Sequence, residues 1–248
     1  MNRRLLITGA GGFLGSRICE YYSNRDGYEA VGVTHRELDI EDFVAVSAFI
    51  KAIRPDYVLH CAAISNTGTC ERNPVLSEKV NVRGTINLAK ACRNAGSRMI
   101  FTSSDQIYNT SHSMEPNREG SEGKPGNVYG RDKKRAEDSM FTYLPNAVAL
   151  RLTWMYDAPS RGRAAGQGLL QKLADALKER REVEFPVHDY RGITYVWEVV
   201  RHLEEAMGLP GGVYNFGSEN RYNTFDTARL FLRELAGRRR FRQQIEMR

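Results

Sequence analysis

The chain has 248 residues, 41% hydrophobic and 27% charged, which excludes a disordered or collagen-like polymer, and no apolar run nears the roughly 20 residues of a membrane span. The net charge is +6, but residues 237–248 hold five Arg and one Glu, so the body is close to neutral and no nucleic-acid partner is expected. The four cysteines, Cys19, Cys61, Cys70 and Cys92, form no C-x-x-C pair and have no histidine cluster beside them, so a reduced chain without a metal is expected.

The apolar stretch after Arg4 is too short for a signal peptide, and a cytoplasmic location follows as an expectation. Strand and helix signals then alternate. Strands are expected at 4–8, 30–34, 56–60, 98–102 and 147–152. Helices are expected at 13–23, 43–53, 76–95 and 128–141. This alternation predicts an α/β fold, a Rossmann-type doubly wound parallel sheet. Beyond Thr153 the pattern loosens into a small C-terminal substrate-binding lobe. There, residues 159–168 have a mobile-loop composition. Helices are expected at 169–178, 196–207 and 224–235, the last with Thr224 as N-cap, and short strands at 182–185 and 213–216. The expected division is a dinucleotide-binding domain over 1–155, a lobe over 156–236 that can return elements to the sheet, and a basic tail over 237–248.

Thr8-Gly9-Ala10-Gly11-Gly12-Phe13-Leu14-Gly15 lies between the first strand and the first helix. Gly9 permits a tight turn, Gly12 lets a pyrophosphate approach the helix amides, and Gly15 lets the helix pack closely. The second strand ends in Val33-Thr34-His35-Arg36, without the acid that binds a ribose 2′-hydroxyl. A guanidinium there suits a 2′-phosphate, so NADP is favoured, with Arg36 as main ligand and His35 as helper. Glu37 and Asp39 follow closely and keep NAD open.

Tyr129-Gly130-Arg131-Asp132-Lys133 places a phenol and an ammonium on one helix face. The ammonium favours phenolate, so the Tyr can exchange a proton with a carbonyl oxygen or hydroxyl. Ser103-Ser104-Asp105 ends the fourth strand, where ligands of such sheets bind.

With these motifs the chain resembles the extended short-chain dehydrogenase/reductases, the epimerase/dehydratase superfamily. Besides the glycine turn, Leu38-Asp39-Ile40, the stretch from Pro55 through His60-Cys61-Ala62-Ala63, Asn81-Val82-Arg83-Gly84-Thr85 and Ser103-Ser104-Asp105-Gln106-Ile107-Tyr108 fall in the family's order. Glu37-Leu38-Asp39-Ile40 and Arg151-Leu152-Thr153-Trp154-Met155-Tyr156 are most similar to the branch of dTDP-4-dehydrorhamnose reductases and their sugar-nucleotide-binding relatives.

The resemblance implies Ser104, Tyr129 and Lys133 as catalytic residues, with Lys133 also at the nicotinamide ribose. It implies Asp39 and Ile40 at the adenine, and Phe13, Leu14, Cys61, Ala62, Ala63, Ile64, Thr102 and Ser103 around the cofactor. Asn81 fits either a structural or water-holding role near the cofactor, as the resemblance implies, or an exposed place on the helix surface. Ser104, Asp105, Gln106, Trp154 and Arg191 are the expected substrate residues. The implied activity is reduction of a keto group on a nucleotide-linked deoxysugar. The alternatives are an epimerase or dehydratase of the same superfamily and a non-catalytic NADP-binding regulatory subunit. A homodimer is one option for assembly.

The chain departs from the branch in carrying Ser104 where Thr is usual. Its stretch from Asp189 to Tyr195 is one residue short. Asp105-Gln106 lacks the second acid of a dehydratase. Arg151 and Trp154 fit either a substrate contact or core packing. Arg161 and Arg163 fit a substrate diphosphate or a solvated surface. His60 and Cys61 read as core, and Arg238-Arg239-Arg240 with Arg242 as a solvated terminus.

Overall fold

The computed structural model describes residues 2–111, 115–157 and 168–246, with side chains through residue 235. The expected loop at 159–168, with Arg161 and Arg163, falls almost wholly outside these residues, and so do the side chains of the arginine-rich end.

The first half builds the expected alternation. In order come β1 (Arg3–Thr8), α1 (Phe13–Ser23), β2 (Tyr28–Val33), α2 (Phe43–Ile53) and β3 (Tyr57–His60). Then follow α3 (Thr67–Arg72), α4 (Pro74–Glu78), a π-helical turn (Lys79–Arg83), α5 (Gly84–Ala95), β4 (Arg98–Ser104), a 3-10 turn (Asp105–Tyr108) and α6 (Val128–Tyr143). The remainder holds β5 (Val148–Leu152), β6 (Trp154–Tyr156), α7 (Leu169–Glu179), β7 (Ile193–Tyr195), α8 (Val196–Arg201), α9 (Leu203–Gly208), β8 (Gly212–Phe216) and α10 (Thr224–Glu246).

The sheet is six-stranded in the order β2-β1-β3-β4-β5-β8, and every pairing is parallel. The chain turns from one side of β1 to the other between β2 and β3. The connections leaving the carboxyl ends of the neighbours β1 and β3 therefore run in opposite directions, and the place between them is the usual ligand site of such sheets. Strand interiors are continuous apolar runs such as Leu5-Leu6-Ile7, fully buried as helix-covered parallel strands require. One core joins Leu6, Val58, Met99 and Phe101 of the sheet to Ile50 of α2, Leu88 of α5 and Ala136 and Met140 of α6.

Contacts divide the chain into two units. One comprises Met1–Leu152 with Trp197–Phe216, and the other Thr153–Val196 with Gly217–Arg248. In the second, β6 pairs parallel with β7. Leu169 and Leu173 of α7 pack with Ala228 of α10, Trp154, Phe185 and Ile193.

Five expectations need correction, the first being the end of the last helix, expected at 235 and found at Glu246. The helix expected over 76–95 is interrupted by the π-helical turn. That extra residue per turn re-aims Asn81, a weak helix former, toward the loop after β3. The helix expected over 196–207 breaks at His202 into α8 and α9. Residues 182–185 alternate like a strand but pair with none. Phe185 packs into the second core instead, with the Lys172 ammonium 4.7 Å over its ring. Asn223, not Thr224, caps α10: its Oδ1 accepts from the Asp226 amide at 2.7 Å, while the Thr224 hydroxyl donates to Asp189 Oδ2 at 2.8 Å. The helices α3 and α4 and the strands β6 and β7, three to six residues each, are too short for a periodicity to reveal.

Candidate active site

The glycine turn closes on the loop after β3. Gly9 has φ +71°, and a Cβ there would stand 2.7 Å from the Ala62 nitrogen. A side chain at Gly15 would overlap the Gly9 carbonyl oxygen, so Gly15 packs α1 against the turn itself rather than against the strand. Gly12 is the N-cap of α1 and offers no side chain to its first amides, those of Phe13, Leu14 and Gly15. Helix-start amides without a cap, at the positive end of the helix dipole, suit a diphosphate.

Beside the turn, Cys61, Ala62, Ala63 and Ile64 form a half-buried wall. Burial pushes the Cys61 thiol up to about 12, so it is no nucleophile. Asn81 does not face this surface. Its buried amide clamps Ile64, accepting from the Ile64 nitrogen at 2.9 Å and donating to its carbonyl at 3.1 Å. It also donates to Ser77 Oγ at 3.2 Å, and Ser77 donates to Asp132 Oδ2 at 2.6 Å.

His60 is a core residue with every polar atom engaged. The Thr85 hydroxyl donates to the Asn81 carbonyl at 2.7 Å, so at 3.0 Å it accepts from His60 Nε2. His60 Nδ1 then accepts the Thr8 hydroxyl at 2.8 Å, its register partner across the sheet. Burial, aided by the Lys133 ammonium, pushes His60 down to about 3. The unfolded chain, with His near 6.5, therefore binds one more proton between those values, and stability falls as pH drops through that window. Urea midpoints followed from pH 7 to 4 should show a slope of ~1.4 kcal/mol per pH unit from this group alone. His60→Asn should remove that component; an unchanged slope would refute the assignment.

Ser104 ends β4 and caps the following 3-10 turn. Its Oγ accepts from the Gln106 amide at 3.2 Å and donates to Asp105 Oδ1 at 3.3 Å. Helix α6 starts beside this turn. Asn127 Oδ1 caps it by accepting from the Gly130 amide at 2.7 Å, and Asn127 Nδ2 donates to Gln106 Oε1 at 2.7 Å. Glu71 Oε1 accepts from the Val128 amide at 2.6 Å. Gly130 lets the two elements touch, since a Cβ would lie 2.5 Å from the Gln106 carbonyl oxygen.

The buried face of α6 carries Tyr129, Asp132, Lys133 and Glu137, a polar set at core positions. Charged residues are rarely buried without a partner or a task. Lys133 is 1% exposed, donates to the Thr102 carbonyl at 2.7 Å and stands 4.5 Å from the Phe101 ring and 5.7 Å from the Tyr129 ring. Burial pulls its pKa down to about 8, against the opposing pull of Cys61, Glu137, Cys70 and Asp132. Thr102 donates to the His60 carbonyl at 2.9 Å. The buried Ser103 hydroxyl has no hydrogen-bond partner.

At the end of β2, Arg36 is exposed and His35 lies 3.8 Å from Asp39. Glu37 folds back onto the turn, accepting from the amide and the hydroxyl of Thr34 at 2.8 Å each, which holds its carboxyl below the usual range. Asp39 accepts from the Glu41 amide at 2.9 Å. The Ile40 side chain is buried in the core against Gly84, leaving only its backbone for a ligand. In the second unit, Trp154 packs on the local core with the Arg191 guanidinium 4.5 Å over its ring. Among the described residues no group of three or more His, Cys, Asp or Glu could hold a metal, and no helix is long and apolar enough to cross a membrane.

Sequence reasoning assigned no role to Thr8, Ser77, Thr85 and Asp132. The available signal was polar residues at positions that helix and strand periodicity assign to the core.

The parallel sheet, the glycine turn and the Ser104, Tyr129 and Lys133 set define an extended short-chain dehydrogenase/reductase. More narrowly, the chain belongs to the family described as RmlD substrate binding domain, whose sequence profile matches residues 3–246. It is 30% identical to a dTDP-4-dehydrorhamnose reductase of Mycolicibacterium smegmatis over 239 residues, 92% of this chain and 68% of that protein. It is equally 30% identical to a methionine adenosyltransferase 2 subunit beta of Xenopus laevis, over 92% of this chain and 70% of that one. Its fold matches a dTDP-4-dehydrorhamnose reductase of Bacillus anthracis solved with NADP, with TM-score 0.86 and 24% identity over 95% of this chain and 82% of that one.

Proposed function

We propose that the chain is an NADP-preferring reductase acting on a keto group of a nucleotide-linked deoxysugar. The observation that carries this reading is α6, whose buried face sets Tyr129 and a desolvated Lys133 beside the turn headed by Ser104. The residues present fit a dinucleotide, because Gly9 and Gly15 let the turn, α1 and the loop after β3 close tightly together and α1 begins at Gly12 with its first amides uncapped. The wall from Cys61 to Ile64, the backbone at Thr102 and Ser103, and Asp39 would hold the rest of it. When bound, the dinucleotide supplies a hydride.

The protein residues handle the proton. Ser104 donates a hydrogen bond to the substrate carbonyl oxygen and orients it. Tyr129 gives that oxygen a proton as its charge develops. Lys133, as ammonium, stabilises the phenolate left behind. Asp105 and Gln106 stand on the same turn as Ser104, within the substrate's reach, while Asn81 acts through Ile64.

The test is stopped-flow loss of NADPH absorbance with a panel of 4-keto-6-deoxy sugar nucleotides. Turnover of a member supports the reading; cofactor binding without turnover across the panel overturns it. Product without net NADPH loss would identify an epimerase.

For the cofactor, Arg36→Ala should raise the Kd for NADPH about 10- to 100-fold, the worth of a charge-assisted contact to a phosphate, and leave NADH unchanged. Equal effects on both in isothermal titration would sink the assignment.

The likeness to a methionine adenosyltransferase 2 subunit beta favours a second reading, a non-catalytic NADP-binding subunit. Tight NADP binding, no turnover and a stoichiometric protein partner would establish it. In the leading reading the chain works in the cytoplasm, which its four free thiols suit. A homodimer is one option for its assembly, and sedimentation showing only monomer would remove it.

A further inference from the structure

Arg151, at the end of β5, fits from sequence either a substrate contact or the core. The structure buries it at 4% side-chain exposure and gives every guanidinium nitrogen an acceptor within the protein, so it is a core residue. Its Nε and Nη2 donate to the two carboxylate oxygens of Glu137 on α6, at 3.0 and 2.7 Å. Its Nη1 donates to the Tyr108 hydroxyl in the 3-10 turn and, at 3.3 Å, to the Glu119 carbonyl. The Tyr108 hydroxyl also meets the Arg118 carbonyl at 3.2 Å and Asn215 Oδ1 on β8 at 3.0 Å. Asn215 in turn donates to the Asn117 carbonyl at 2.9 Å, and its backbone amide to Glu119 Oε1 at 3.0 Å.

One planar guanidinium thus spans two elements: the turn headed by Ser104 and the helix carrying Tyr129 and Lys133. A buried ion pair of this kind is poor evidence for stability, since well-packed apolar residues of similar volume often serve a fold as well or better. What an apolar pair cannot supply is direction: a bidentate fork fixes distance and angle between the two elements it joins. We infer that Arg151 is a positioning residue, which through Glu137 and Tyr108 sets the Ser104 hydroxyl against the Tyr129 phenol. The inference rests on the reductase reading of those two residues.

Glu137 lies one turn beyond Lys133 on the same face. The groups that act on Lys133 are His60 of β3, Cys61 after it, Cys70 of α3, and Tyr129, Asp132 and Glu137 of α6. Of these, the charge of Glu137 is the one Arg151 neutralises. Removing either partner alone should therefore move the titration of Lys133, and in opposite directions.

The test uses the full chain. Glu137→Leu with Arg151→Met removes both buried charges together and leaves apolar side chains of similar volume, so the double variant should fold and bind NADPH within about threefold of wild type. Single-turnover hydride transfer should fall about 10- to 100-fold, as a misplacement near 1 Å does. Amide exchange should quicken at 105–108 and 128–133 but not in the sheet. Arg151→Lys keeps the charge without the fork and should not rescue the rate. In the kcat/KM profile, Glu137→Gln should shift the alkaline limb to lower pH and Arg151→Met to higher pH. A double variant with wild-type transfer rate or wild-type exchange at both segments overturns the inference. If wild type shows no turnover, the reductase reading fails, while amide exchange still decides whether Arg151 ties the two segments.

Discussion

Tyr129→Phe should lower the reduction rate about 10³-fold while NADPH binding stays within twofold, because general acid catalysis contributes about 10²- to 10⁴-fold and the ring itself is retained. The phenol is buried at the start of α6, and the change removes one oxygen without opening a cavity. The measurement is single-turnover NADPH oxidation beside a fluorescence titration of the cofactor. Retained turnover would remove Tyr129 from the mechanism. The same proton transfer sets the pH profile. Lys133, held at about 8 by burial, must remain an ammonium to stabilise the phenolate, so kcat/KM should fall above about pH 8. The stability effect has the opposite sense. An unfolded Lys titrates near 10.5, so between about 8 and 10.5 the unfolded chain binds more protons, and the penalty for burying this ammonium is relieved as pH rises.

Gly15→Ala should be strongly disruptive, and two effects compete over it. Ala is a better helix former than Gly by about 1 kcal/mol, and position 15 lies inside α1. Yet the added methyl would overlap the Gly9 carbonyl oxygen, which belongs to backbone and cannot swing aside. Gly9 is itself wedged against Ala62, so the turn has no room to retreat. Steric overlap wins: the expected loss is ~2 kcal/mol of stability, in the range of overpacking, with cofactor affinity down at least about 100-fold as the turn and helix separate. Thermal denaturation and NADPH titration check both parts. A variant at least as stable as wild type, with unchanged affinity, would show that propensity governs this position.

Much of the site was legible in local sequence because its motifs are local. The glycine turn needs three residues with no Cβ within one strand-to-helix connection. Tyr129 and Lys133 meet because they are four apart on a helix. The second half was less legible. Strands of three residues carry no periodicity, and 182–185 alternates without a partner strand. Asn81 illustrates the intermediate case: its poor helix propensity was visible, but the π-helical turn that aims it at Ile64 was not.

The sequence by itself determined the alternating α/β order, the glycine turn after β1 and the placing of Tyr129 and Lys133 on one helix face, because hydrophobic period, glycine geometry and helix spacing act over a few residues. The tertiary structure decided what long-range packing alone can decide. It joined Thr8, His60 and Thr85 into one buried relay across positions 52 and 25 residues apart. It turned Glu37 back onto Thr34, sank Ile40 into the core and set Trp154 on the packing of the second unit. It also took Arg151 from the substrate's side and closed it on Glu137, because a guanidinium removed from water must find a carboxylate wherever the fold supplies one.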